Sequence, residues 1–113
     1  MNTLKHKGFI GIFNYIEDED ILYGKIEGIT DLVTFQGQSI PEIKEAFNEA
    51  VEDYLELCKE VGKDPLKSFK GSFNIRLSSN LHRIVFMKAV SRNMNLNQFV
   101  QAALEKAVEE EKA

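Results

Sequence analysis

Three groups of side chains in this 113-residue sequence have types and spacing suited to chemistry. The first is a set of carboxylates, Asp31, Glu49 and Asp53. Hydrolytic nucleases cluster several such groups around two metal ions. Glu49 and Asp53 share a helix face at i, i+4, but nothing in the sequence fixes Asp31 beside them. The second group is the nucleophile and ligand types. Cys58 lies on an apolar stripe with Phe47, Val51 and Tyr54, which reads as a buried structural thiol. His82 has no second ligand at metal spacing and reads as a surface or dimer-contact residue, and His6 has no legible partner. The run Glu17–Asp20 reads as a solvated turn, because a metal site needs ligands at defined spacing. No catalytic residue, metal site or cofactor is expected.

The third group is SFNIRL (72–77), which alternates strictly. Ser72, Asn74 and Arg76 fall on one face and Phe73, Ile75 and Leu77 on the other. A lone six-residue strand cannot satisfy its own backbone donors and acceptors. A second chain can supply the missing strand, giving a two-stranded antiparallel ribbon across a two-fold axis. Phe73, Ile75 and Leu77 would form the dimer core. Ser72, Asn74 and Arg76 would project outward into a major groove, where Asn pairs with adenine and Arg with guanine. The first turn of a following helix, at Asn95 and Asn97, would meet phosphate.

The elements that position these groups differ along the chain. Residues 1–70 hold eight Lys/Arg and fourteen Asp/Glu; residues 71–113 hold six and four, and every acid of that back part lies at Glu105 or later. An acidic front and a locally basic back point to two parts with different partners. The hydrophobic fraction of 43% and charged fraction of 28% argue against wholesale disorder. No apolar run reaches the roughly 20 residues that span a bilayer. No secretory signal is legible in MNTLKHKGF, and the lone cysteine fits a reducing compartment, so a cytoplasmic location away from membranes is expected.

In the front, GFIGIFNYI (8–16), ILYGKI (21–26) and LVTFQ (32–36) read as three strands. Gly24 and Gly28 mark bulges or close backbone approach. Ser39-Ile40-Pro41-Glu42 has capping-box spacing with Pro in the first turn, and Gly62 suits the C-terminal cap of the helix that follows. The front is therefore expected to be β-β-β-α, and 63–71 a polar connector on which Leu66 and Phe69 can pack. In the back, the strand 72–77 precedes a helix capped by Ser78 or Ser79 with Leu81, Ile84, Val85 and Ala89 as its stripe. Met94-Asn95 breaks that helix through an asparagine in the left-handed conformation. A second helix from Leu96 carries Phe99, Val100, Ala103, Leu104 and Ala107.

FNIRL, SSNLH, Ala89 and NLNQFV (95–100) together resemble the ribbon-helix-helix repressors of the Arc and MetJ class. The family turn is close to Gly-x-Ser-Leu-Asn; here it stands as Asn93-Met94-Asn95-Leu96-Asn97. HKGFIGIF (6–13), GKIEGITDLVTFQG (24–37), AFNEAVEDYL (46–55), GKDP (62–65) and FKGSFNIRL (69–77) extend the resemblance. In that order they are similar to HicB-type antitoxins with a C-terminal ribbon-helix-helix domain. The resemblance implies an α+β chain in two domains. Residues 1–70 would be a partial ribonuclease-H-like domain that binds a HicA-type mRNA interferase. Residues 71–113 would be a ribbon-helix-helix domain that dimerises and binds operator DNA. Dimer and tetramer both remain open, since the front can also self-associate. Two other readings stay open: a repressor with a small-molecule sensor in front, and a metal-dependent nuclease using the front carboxylates.

Overall fold

The computed structural model describes residues 2–111. The chain is α+β: a four-strand antiparallel sheet followed by three helices. Its contacts divide it into two compact units, Met1–Phe73 and Asn74–Ala113.

The first unit is an up-and-down sheet in the order β1 (Asn2–His6), β2 (Phe9–Ile16), β3 (Ile21–Glu27), β4 (Thr34–Gly37), with α1 (Ile40–Val61) on one face. The front therefore has four strands, not three. The extra one, β1, pairs with β2 from Asn2↔Phe13 to His6↔Phe9. A two-residue turn joins them. Lys7 and Gly8 both take positive φ, 49° and 81°, as a hairpin of this hand requires. The charged run closes the β2–β3 hairpin at Ile16↔Ile21, with the Tyr15 hydroxyl donating to Asp20 Oδ1 at 2.6 Å. The last strand begins at Thr34 rather than Leu32.

Alternation on β2 turns Phe9, Gly11 and Phe13 toward α1, where Ile26 and Phe35 join them; Tyr15, next on that face, is exposed. On α1, Ile43, Phe47, Val51, Tyr54 and Cys58 recur at helical spacing and are buried. The Phe35 and Phe47 rings meet tilted at 59° with centroids 5.1 Å apart. Gly11 makes room for them: a Cβ there would sit 2.6 Å from Phe47 Cε1 and 2.8 Å from Phe35 Cζ. At Gly24 a Cβ would collide with the backbone of Ile12 and Phe13, so close strand approach, not a bulge, explains this glycine.

The ends of α1 follow from its local sequence. Ser39 Oγ accepts from the Glu42 N–H at 3.2 Å, and Glu42 Oε2 accepts from the Gln38 N–H at 3.0 Å. Pro41 occupies the first turn, where no intrahelical donor is lost. Gly62 ends the helix in the left-handed conformation. The connector is not free: Ser68 Oγ donates to the Gly28 carbonyl at 2.6 Å, and the Phe69 ring lies over Gly28.

The second unit is α2 (Ser79–Ser91) and α3 (Leu96–Glu111) preceded by the extended stretch 74–78. Ala89 is its one buried residue among those described.

Candidate nucleic-acid interface

Residues 72–78 form no strand in the single chain. The expected ribbon strand is thus extended but unpaired, because a ladder needs a second backbone. Phe73, Ile75 and Leu77 are 76%, 53% and 46% exposed. Ser72, Asn74 and Arg76 are exposed as well.

Ser78 caps α2, its Oγ accepting from the Leu81 N–H at 3.1 Å. The turn to α3 is tightly specified. The Met94 N–H donates to the Ala89 carbonyl at 2.9 Å and the Asn93 N–H to the Val90 carbonyl at 3.0 Å, the paired bonds of a Schellman end. The left-handed residue is Asn93, with φ 57°, and not Asn95. Asn93 thus fills the place where the repressor turn has glycine. Asn95 is the N-cap of α3: its Oδ1 accepts from the Gln98 N–H at 2.7 Å, and Gln98 Oε1 accepts from the Asn95 N–H at 3.0 Å.

This reciprocal cap has a consequence for anions. Of the first N–H groups of α3, that of Gln98 is taken by Asn95 and that of Phe99 by the Asn95 carbonyl. The N–H groups of Leu96 and Asn97 have no intrahelical acceptor and point out of the helix start. The Arg92 guanidinium lies 5.4 Å from the Phe99 ring centroid and adds a cation to the same turn. Gln98 and Arg92 belong to this turn although the family motif did not single them out. The Asn95-x-x-Gln98 spacing is the legible signal for the first.

The apolar stripes of both helices are only partly covered. Val85, Phe99 and Val100 are half-buried, whereas Leu81, Ile84 and Leu104 remain exposed. A cleft of about 440 Å³ opens between the extended stretch and the helices, with Ile75, Leu77, Val85 and Val100 on its walls. His82 also lines it.

In the first unit the three carboxylates are not brought together. Asp31 accepts from the Tyr54 hydroxyl at 2.9 Å and pairs with the Lys63 ammonium. Lys63 first, and then Tyr54, hold the Asp31 carboxyl below its usual range. Burial, reinforced by Asp31, pushes the Tyr54 hydroxyl well above the ordinary phenol value. Glu49 and Asp53 stay together on a groove beside β4. Among the described residues, no three His, Cys, Asp or Glu side chains are set to hold a metal ion. His6 does have a partner: its Nε2 lies 3.3 Å from Glu52, which also pairs with Lys7 at 2.6 Å. Cys58 is buried and free. Among the described residues, no helix is long and apolar enough to cross a membrane.

No curated protein matches this chain. A HicB family domain does match, over residues 54–104, from the last turns of α1 through the extended stretch and α2 into α3, a span that contains every residue of the candidate interface.

Proposed function

We propose that this protein is the antitoxin of a type II toxin–antitoxin system. It binds and neutralises a HicA-type mRNA interferase through a partial ribonuclease-H-like front, residues 1–70. It represses its own operon through a ribbon-helix-helix back, residues 71–113. The observation that carries the reading is the extended stretch 72–78, unpaired and apolar on alternate residues, next to two helices that bury one residue. Such a unit lacks a core of its own, and a second copy supplies one. Pairing of two stretches buries Phe73, Ile75 and Leu77 and presents two sets of Ser72, Asn74 and Arg76 to a major groove. The Leu96 and Asn97 N–H groups, with the Asn95 and Asn97 side chains, then bind flanking phosphates. The HicB match over this span supports the assignment.

The front needs no reaction to act. Covering the toxin's RNA-binding face suffices, and a net charge of −6 over residues 1–70 speeds encounter with a basic protein. A strain carrying the toxin gene and a promoter reporter tests both halves of the proposal. Full-length Arg76→Ala is expected to rescue growth as the unaltered protein does while losing repression. If it retains full repression, or if the unaltered protein gives no rescue, the corresponding half of the proposal fails.

A further inference from the structure

Among the described residues, the sheet of the first unit ends in two unpaired edges, β1 and β4, and they are not alike. β1 carries Lys5, and lysine on an edge discourages pairing with another strand. β4 (TFQG) carries neither charge nor proline. The Ile26 N–H donates to the Val33 carbonyl, which sets the phase of the β3–β4 ladder. Alternation from that bond turns the backbone groups of Thr34 and Gln36 away from β3. Beside this edge runs a groove of about 380 Å³ between β4 and α1. Val33, Ala46, Ala50 and Leu57 give it an apolar floor, and Glu49 and Asp53 are its charged groups. Leu57 is 52% exposed, a large apolar side chain without cover. The helix itself carries seven Asp/Glu and two Lys.

We infer that the β4 edge and its groove take a cationic extended segment of the partner protein, added to the sheet as a fifth strand. The inference rests on the antitoxin reading, which supplies a partner with a basic surface. The backbone of the incoming strand bonds Thr34 and Gln36. Its apolar side chains settle on Ala46, Ala50 and Leu57, and its Lys or Arg side chains reach Glu49 and Asp53. A second copy of this chain fits less well, because pairing β4 with β4 sets the acids of one copy against those of the other.

The test uses the full-length chain and the HicA-type protein encoded beside it, inactivated so that it can be purified. Calorimetry is expected to show at least a tenfold weaker complex for the double variant Glu49→Lys, Asp53→Lys, and an unchanged one for Lys5→Glu. Hydrogen exchange on the unaltered chain is expected to show the Thr34 and Gln36 amides slowed at least tenfold in the complex, a readout that does not depend on how a variant folds. A complex that forms without slowing either amide overturns the groove and leaves the antitoxin reading standing. Failure of the unaltered chain to bind overturns that reading and the groove with it. β4 amides already slowed without the toxin, together with a mass of four copies rather than the ribbon dimer's two, would make a second copy the occupant and overturn the inference.

Discussion

Truncating Ile75 probes the unpaired stretch most sharply, because the gain from its pairing can be worked from its exposure. Moving an isoleucine side chain from water to full burial is worth about 1.5–3 kcal/mol. Ile75 is 53% exposed in the single chain, so roughly half of that gain, about 0.8–1.5 kcal/mol, is left to be made on association. A two-fold axis uses each residue twice, which gives about 1.5–3 kcal/mol per dimer, or a rise in dimer Kd of roughly 10- to 150-fold for Ile75→Ala. Ile75→Lys is expected to go further and abolish the dimer, since a buried charge without a partner costs several kcal/mol. Asn74→Ala, one residue away on the opposite face, is expected to leave association unchanged. Sedimentation velocity across a dilution series gives each Kd, with circular dichroism read on the same samples. A well-folded native monomer, or equal losses for Ile75→Ala and Asn74→Ala, would refute the ribbon.

Gly11→Ala is expected to lower the stability of the first unit by about 1–3 kcal/mol, read by thermal melting, because Phe47 and Phe35 have no room to retreat from the new methyl. Asn93→Ala is expected to cost about 1–2 kcal/mol at the left-handed helix end, whereas Asn93→Gly is tolerated, which chemical denaturation of the full chain can compare. Asp31 is held below its ordinary carboxyl range by Lys63 and Tyr54, so its stabilising effect is present above the unfolded carboxylate value and lost as pH falls through the lowered folded one. Asp31→Asn should therefore lower the melting temperature at neutral pH, with the gap to the unaltered protein closing only as pH falls through the lowered folded value, and a gap that widens in acid would contradict the pairing.

Features set by neighbours in sequence were legible in advance. Ser39, Pro41 and Glu42 mark the start of α1 and Gly62 its end, since each cap is a local bond or a local dihedral angle. Features set by distant partners were not. β1 contains one half-buried apolar residue, Leu4, so no periodicity announces it. What makes it a strand is the Lys7–Gly8 turn, which lacks the usual Asn-Gly signature. Leu32 reads as part of β4 by type, yet it is 78% exposed and lies before the strand begins. His6 gains Glu52 across 46 positions, a pairing only the folded sheet and helix create. In the second unit, three asparagines within five residues (Asn93, Asn95 and Asn97) can each take the left-handed conformation, so residue type alone misplaces it at Asn95 when the Schellman bonds set it at Asn93. The candidate interface residues were singled out by the strict alternation over 72–77, a pattern that encodes two faces whatever covers them; in the single chain both faces are exposed.

Fluorescence anisotropy of the full-length protein on DNA from its own upstream region tests the central claim most directly. The account predicts tight, sequence-dependent binding by a dimer. Arg76→Ala should lose it, because each lost base contact is worth roughly 1–3 kcal/mol and occurs twice. Circular dichroism should stay native. Native affinity from Arg76→Ala, or equal affinity of the unaltered protein for unrelated DNA, would contradict the account.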